Sequence, residues 1–270
     1  IQKNNLGFLK LIEISKKITT NVGRTNAQFG LIKENDRIMI GFSGGKDSLT
    51  LLHTLNRMQK KAPFKFDFKA VTITYGMGEQ IEFLSNHCKE HGIEHEIIDT
   101  QIFDLAGEKI RKNSSFCSFF SRMRRGYLYT TALEQGYNKV ALGHHLDDAM
   151  ESYFMNLFYN GTMRTMPPIY KASNGLEVIR PLIFCRERQL RAFADSNEIR
   201  VIGDEACPGL RFDVKMPHAR ATTKELLAKL EEQNPKIFVS MKAAFSNIQL
   251  PTFFYKDLKD IKLNIEDETI

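Results

Sequence analysis

Residues 41–48 read Gly-Phe-Ser-Gly-Gly-Lys-Asp-Ser, between the apolar run Arg37-Ile38-Met39-Ile40 and the helix-forming stretch from Leu49 to Leu55. Strand, glycine-rich turn and helix in that order favour an α/β sheet of parallel strands, because the helix packs back on the sheet and returns the chain to its starting edge. Such a turn leaves backbone N–H groups pointing past the strand end. The helix dipole adds positive potential there, so phosphate is the expected occupant.

The loop is not a Walker A loop. That motif ends in Gly-Lys-Ser/Thr, whereas Asp47 follows Gly45-Lys46 here, and Ile40 stands where the first glycine belongs. Gly-x-Gly-x-x-Gly cannot be placed on it either. An aspartate beside a phosphate cradle repels the ligand unless a cation intervenes, so Asp47 implies Mg²⁺. Ser43 and Ser48 add hydroxyls and Lys46 a point charge. The simpler reading is a tight turn with Ser43 or Asp47 as helix N-cap, which needs neither Gly44, Gly45 nor the lysine.

Ser-Gly-Gly-Lys-Asp-Ser resembles the signature of the PP-loop ATP pyrophosphatases. The resemblance implies an adenine nucleotide alpha hydrolase-like fold, ATP cleavage between the α- and β-phosphates, and activation of a substrate oxygen as an adenylate. It implies that Ser43, Gly44, Gly45, Lys46, Asp47 and Ser48 grip the nucleotide. Ile73, in the apolar run 67–75, is placed with them.

The rest of the chain extends the α/β pattern. Strands are expected at 37–42, 67–75, 95–99 and 139–143, and helices at 47–60, 79–91, 102–111, 118–135 and 146–159. This predicts a parallel doubly wound sheet with helices on both faces, binding its ligand at the strands' carboxyl ends. Residues 6–34 read as one or two helices, with Leu6, Phe8, Leu9, Leu11 and Ile12 at helical spacing. Past residue 160, Met166-Pro167-Pro168 breaks any helix, Asn174-Gly175 suggests a hairpin, and Ile179-Arg180-Pro181-Leu182 reads as extended. A helix is expected at 186–197, a loop at 201–217, and helices at 219–232 and 235–247, before an acidic tail. The expected organisation is an N-terminal helical segment 1–34, a PP-loop ATP-binding domain 35–200 and a C-terminal loop and helical segment 201–270.

A net charge of +6 over 270 residues favours a polyanionic partner. No apolar run approaches the ~18 residues of a membrane span, and no signal peptide is visible. Four cysteines, Cys88, Cys117, Cys185 and Cys207, are too few for a disulfide framework in this length, so a reducing, cytoplasmic setting is expected.

A second strand end carries Gly143-His144-His145-Leu146-Asp147-Asp148 and should share the sheet edge of the first loop. Two histidines and two carboxylates there suit Mg²⁺ binding, ATP contact or placement of a nucleophile. Taken alone, Asp147 and Asp148 also suit the first turn of a helix. Gly-His-His-x-Asp-Asp is similar to the second motif of PP-loop enzymes that modify tRNA, among them the lysidine and 2-thiocytidine synthetases. Arg180-Pro181-Leu182 resembles a further element of both groups; Arg180 reaches the phosphates or makes a structural salt bridge. By this resemblance Asp47, Asp147 and Asp148 are catalytic candidates, and His144 and Arg180 nucleotide contacts.

The segment from Phe116 to Gly126 is similar to the 2-thiocytidine synthetases, whose Cys-x-x-Cys precedes a basic run ending in Arg-Arg-Gly. The likeness spans about residues 35–207. It implies that ATP adenylates the 2-oxygen of cytidine 32 in the tRNA anticodon loop and that sulfur then displaces AMP. It also implies a [4Fe-4S] cluster on three cysteines and a sulfur donor such as a cysteine desulfurase. This chain departs from that pattern. Cys117 matches the first cysteine, Phe120 replaces the second, and Cys207 is the candidate third. Two cysteines leave open a cluster bridged across a homodimer, a cluster with a non-cysteine ligand, a sulfur-carrying Cys117–Cys207 pair, or loss of thiolation. Cys185 reads more simply as a buried small residue. Also open are a PP-loop enzyme acting on another acceptor and a nucleotide- or RNA-binding module.

Arg122, Arg124 and Arg125, with Lys109, Arg111 and Lys112, form a positive stretch suited to RNA phosphates. Phe119, Phe120 and Tyr127 are of a type that stacks on bases, but turning inward is the simpler expectation. The segment 212–220 places charges after Cys207, at a substrate entrance or a helix cap. His87 and His91 have the i,i+4 spacing of a zinc pair, yet a partner-free surface helix is the simpler reading.

Overall fold

The computed structural model describes residues 12–109, 116–203, 208 and 218–254. Its strands are β1 (Arg37–Gly41), β2 (Asp67–Ile73), β3 (His95–Ile98), β4 (Lys139–Ala141), β5 (Ile169–Lys171) and β6 (Glu177–Ile179). Its helices are α1 (Lys16–Phe29), α2 (Lys46–Lys61), α3 (Glu82–Glu90), α4 (Ile102–Lys109), α5 (Phe116–Glu134), α6 (Leu146–Tyr159), α7 (Glu187–Ser196), α8 (His218–Gln233) and α9 (Ile237–Ala244). The sheet order is β3-β2-β1-β4-β6-β5, parallel throughout except for β5 against β6. The expected parallel doubly wound sheet is therefore present. The hairpin read at Asn174-Gly175 adds an antiparallel edge, because residues 172–176 are too few for a crossover.

The β1 side chains divide between two cores with the period of a pleated strand. Ile38 and Ile40 face a cluster with Val22 of α1, Leu49, Leu52 and Leu55 of α2, Leu84 of α3 and Leu190 of α7. Met39 faces the other side, with Val71, Ile73, Val140, Val178 and the α5 residues Phe119, Phe120 and Leu128. A third cluster joins Leu146 and Met150 of α6 to Leu227 of α8 and Phe238 of α9. It brings the C-terminal helices against the end of the sheet where α6 begins.

Strand order reverses between β1 and β4, so the chain leaves these neighbours in opposite directions and opens a crevice beyond their carboxyl ends. Both motif loops leave from this switch point, the first after β1 and the second after β4.

Some boundaries differ from expectation. The second strand ends at Ile73 rather than Tyr75, because the Glu79 carboxylate accepts from the Tyr75 and Met77 backbone N–H groups and folds the chain into a turn before α3. Residues 181–184 form a turn, not an extension of β6, with Ile183 N–H donating to Arg180 O at 3.1 Å. Leu6, Phe8, Leu9 and Leu11, most of the 201–217 loop and the acidic tail lie outside the described residues.

Candidate active site

Gly45 is the N-cap of α2 and supplies no side-chain hydrogen bond, so neither Ser43 nor Asp47 caps the helix. The leading N–H groups of α2 are left for a ligand. Ser43 and Ser48 pair through their hydroxyls at 3.2 Å, and Ser48 Oγ donates to Gly45 O at 3.0 Å. Gly44 has φ of +78°, and a Cβ there would lie 2.7 Å from Ile202 Cδ1. Ile202 N–H donates to Gly44 O at 2.9 Å, so the segment after α7 seals the back of the loop.

The two motif loops touch at Gly143. A Cβ at this position would stand 3.1 Å from Asp47 C and from Ser48 N. His145 caps α6 reciprocally with Asp148: His145 N–H donates to Asp148 Oδ2 at 3.0 Å, and Asp148 N–H to His145 Nδ1 at 3.4 Å. His145 Nε2 thereby comes within 3.8 Å of Asp47 Oδ1. Gly143→Ala is expected to push the loops apart by a few tenths of an ångström and lower kcat/KM for ATP about tenfold. Pyrophosphate release by a variant with unchanged circular dichroism checks this.

Charges interlock around the crevice. Burial raises the Asp47 carboxyl above its ordinary range, only partly offset by His145 and Lys46, and Asp148 adds to the rise. Asp47 Oδ1 is buried without a hydrogen-bond partner. Lys46 Nζ lies 3.4 Å from Asp47 Oδ2 and 3.2 Å from Glu187 Oε1. Burial opposes ionisation of Glu187, but Lys224 and Lys46 outweigh it and hold the carboxyl down at about 2. Burial likewise acts to raise Asp148; His145, His144 and Arg220 prevail and lower it. Arg220 bonds Asp148 Oδ1 at 2.6 Å and Glu151 Oε2 at 2.7 Å, yet burial still leaves Glu151 raised.

Asp147 accepts from Arg186 Nε at 3.1 Å and from Glu187 N–H at 2.8 Å, which binds α6 to the start of α7. Arg186 also holds Glu231 through both terminal nitrogens at 2.7 Å and lies over the Phe238 ring. Arg186→Ala strands Asp147 and Glu231 together. It is expected to cost about 2 kcal/mol, below the range for fully buried pairs because Glu231 is partly exposed. Urea denaturation at neutral pH measures it.

His144 is lowered by burial first and by Arg180 second. Arg180 is buried, donates to His144 Nδ1 at 3.3 Å and to Pro167 O at 2.6 Å, and lies over the Tyr170 ring. It thus orients His144. Ile73 sits at the carboxyl end of β2 with its side chain in the core.

Within the segment that carries Phe120 in place of a cysteine, the described side chains begin at Phe119. Phe120 is buried, 5.6 Å from Tyr75 edge-on and 6.4 Å from Phe103 in a stack, and Phe119 is buried beside it. Both turn inward as expected, while Tyr127 is exposed. Arg124 donates to Tyr75 Oη at 2.7 Å, Arg125 is near enough to act on His144, and Arg122 is exposed. The basic run therefore borders the crevice. Cys117 falls in the first turn of α5 with its side chain outside the description; Cys207, Arg111, Lys112 and the side chain of Lys109 lie outside it as well. Cys185 is buried as expected, and burial lifts both its thiol and that of Cys88 to about 12. The partner-free reading of His87 and His91 is overturned: both rings pack against His53 of α2.

Sequence reasoning did not assign Arg186, Glu187, Lys224, Glu231 or Ile202 to the site. They arrive from α7, α8 and the segment between, and no local spacing marks them. The buried, unpartnered oxygen of Asp47 suits a divalent cation, with Asp47 as its protein ligand. Phe120 stands where the resemblance places a second cluster cysteine, and its ring is buried in the core.

The PP-loop domain family matches residues 14–215. A tRNA-cytidine(32) 2-sulfurtransferase from Geobacter metallireducens is 44% identical over 237 residues, 87% of this chain and 90% of the relative. One from Pseudomonas syringae pv. syringae is 37% identical over 261 residues, 95% and 93% of the two chains. Among solved structures, the U34-tRNA thiolase NcsA from Methanococcus maripaludis, with its [4Fe-4S] cluster, superposes with a TM-score of 0.71 at 24% identity, covering 89% of this chain and 81% of that one. That likeness supports the fold. The match over most of the chain and the identity to these relatives establish that this chain belongs to the PP-loop tRNA-cytidine(32) 2-sulfurtransferase family.

Proposed function

We propose that this protein uses ATP to adenylate the 2-oxygen of cytidine 32 in the tRNA anticodon loop and then replaces that oxygen with sulfur. The observation that carries the reading is the contact at Gly143, which joins the two motif loops into one crevice in a chain of this family. The α2 N–H groups, Lys46 and the Ser43 and Ser48 hydroxyls face the departing pyrophosphate. Asp47 would hold Mg²⁺, which when bound neutralises phosphate charge. His144, fixed by Arg180 and kept neutral by burial, is placed to contact the nucleotide. Asp148 orients His145 toward Asp47, and Asp147 anchors α7 behind it.

In the first step the cytidine oxygen bonds to the α-phosphorus and the bond to the β-phosphate breaks, with pyrophosphate leaving. In the second a sulfur nucleophile adds at C2 and AMP departs with the oxygen; where that nucleophile is a cysteine persulfide, a second thiol then attacks the cysteine sulfur, forms a disulfide with it and releases the sulfur on C2. Arg122, Arg124 and Arg125 are assigned to tRNA phosphates, giving salt-dependent binding. Cys117 and Cys207 are assigned to the sulfur half, either as ligands completed from elsewhere or as a sulfur-carrying pair; iron analysis of anaerobically purified protein divides these. A sulfur donor such as a cysteine desulfurase is required, and the setting proposed is the cytoplasm. No described helix is long and apolar enough to cross a membrane.

The test is AMP and pyrophosphate release with Mg-ATP, tRNA and a sulfur source. Release that requires tRNA supports the reading. Release with a non-tRNA acceptor supports a PP-loop enzyme of other specificity, and ATP binding without AMP formation supports a binding module.

A further inference from the structure

Three histidines that the nucleotide crevice does not use converge where α2, α3 and α7 meet. His53 lies on the buried face of α2, His87 on α3, and His91 at its C-cap. Their potential ligand atoms lie within 4.8 Å of one another. His53 Nε2 and His87 Nε2 are 2.7 Å apart, and the three ring centroids are separated by 4.5–5.0 Å. Phe193 of α7 closes the inner side, 5.9 Å from His53. His87 and His91 are partly exposed, which leaves a route in from solvent.

The protonation pattern is that of ligands. Burial, then the neighbouring histidines, lowers His53 to about 2 and His87 to about 4, so both are neutral at pH 7. His91 Nδ1 donates to His87 O at 2.8 Å, which fixes the ring and keeps Nε2 as its one nitrogen open to a ligand. Two neutral imidazoles meeting through Nε2 make one hydrogen bond, with one ring donating; once that ring carries its proton on Nδ1, both Nε2 lone pairs face the space between them. Tetrahedral Zn²⁺ with bonds of about 2.0–2.1 Å sets its ligand nitrogens roughly 3.3 Å apart. Reaching that geometry takes side-chain shifts of about 0.5–1.5 Å. The donor set holds nitrogen and no carboxylate, which disfavours Mg²⁺ and Ca²⁺. Lys60 is close enough to depress His53 and works against very high affinity.

We propose that His53, His87 and His91 bind one Zn²⁺ ion with water in the fourth position, and that the ion clamps α3 to α2. The clamp has a structural consequence for the crevice. Leu84 of α3 lies against Gly44, a Cβ there coming within 3.0 Å of Leu84 Cδ2, and α2 carries Lys46 and Asp47 at its start. The two helices joined by the ion are those that frame the phosphate loop.

The test uses full-length protein carrying Cys117→Ser and Cys207→Ser, so that accessible thiols do not compete. It is stripped with chelator and titrated with Zn²⁺ and Co²⁺. The expected result is one zinc retained per chain after desalting, intense visible bands of four-coordinate Co²⁺, and a melting temperature that rises with zinc. His91→Gln, on the partly exposed side, is expected to fold and to weaken binding by about 100-fold or more, beyond the usual cost of losing an outer-shell partner. The folded His87→Gln/His91→Gln double variant is expected to retain none. Stoichiometric zinc in that double variant, or no zinc in the folded parent, overturns the proposal.

Discussion

Asp47→Asn is expected to lower AMP and pyrophosphate formation by about 10²- to 10³-fold while leaving the melting temperature unchanged or slightly higher. The two effects have one cause. Asp47 is pushed toward its neutral form by burial, stands near Asp148, and leaves Oδ1 without a hydrogen bond. A carboxyl with a raised pKa destabilises the fold wherever it is ionised, that is, above that pKa. Asparagine keeps the shape and removes the cost. Its amide, however, is a poor ligand for a hard dication, so the site loses what the strain was kept for. A fall in stability with activity intact would assign Asp47 to the scaffold. Calorimetry alongside a pyrophosphate assay over a range of Mg²⁺ concentrations separates the outcomes.

The second large effect concerns sulfur. Cys117→Ala and Cys207→Ala are each expected to reduce thiolated product by about 10³-fold or more, as when a covalent or ligating thiolate is removed. Tight binding of ATP is expected to stay within about twofold of the parent, because neither thiol is among the groups assigned to the nucleotide. The other two thiols cannot take over: burial holds Cys88 and Cys185 at about 12, so they are neither nucleophilic nor good ligands near pH 7. Phe120→Cys is the informative companion. Phe120 packs against Tyr75 and Phe103, so the change removes a core ring and is expected to cost about 3 kcal/mol. Thiolation that survives in Cys117→Ala would detach this residue from the sulfur chemistry.

The sequence made the architecture legible because both motifs follow apolar strands directly. Gly41–Ser48 and Gly143–Asp148 each had to lie at a strand's carboxyl end, and the β1–β4 pairing then made them neighbours. Local patterns also placed most helices within a few residues. The supporting charges were not legible. Arg186 reaches Glu231 and Arg220 reaches Asp148 across contacts set by the packing of α6, α7 and α8, for which no fixed spacing exists. The same reason hid the third histidine: His87 and His91 show a helical spacing, but His53 lies 34 residues before His87. Phe120 was visible as a departure; only the packed structure shows its ring committed to the core.

The central claim is that this chain places sulfur on a tRNA cytidine at the expense of ATP. The most direct measurement is mass spectrometry of nucleosides from unmodified tRNA incubated with the protein, Mg-ATP, a persulfide-generating cysteine desulfurase with its cysteine substrate, and a dithiol reductant. The account predicts 2-thiocytidine at position 32, with one AMP and one pyrophosphate formed per sulfur inserted. ATP turnover without a thiolated cytidine, or sulfur found on a uridine instead, would contradict it.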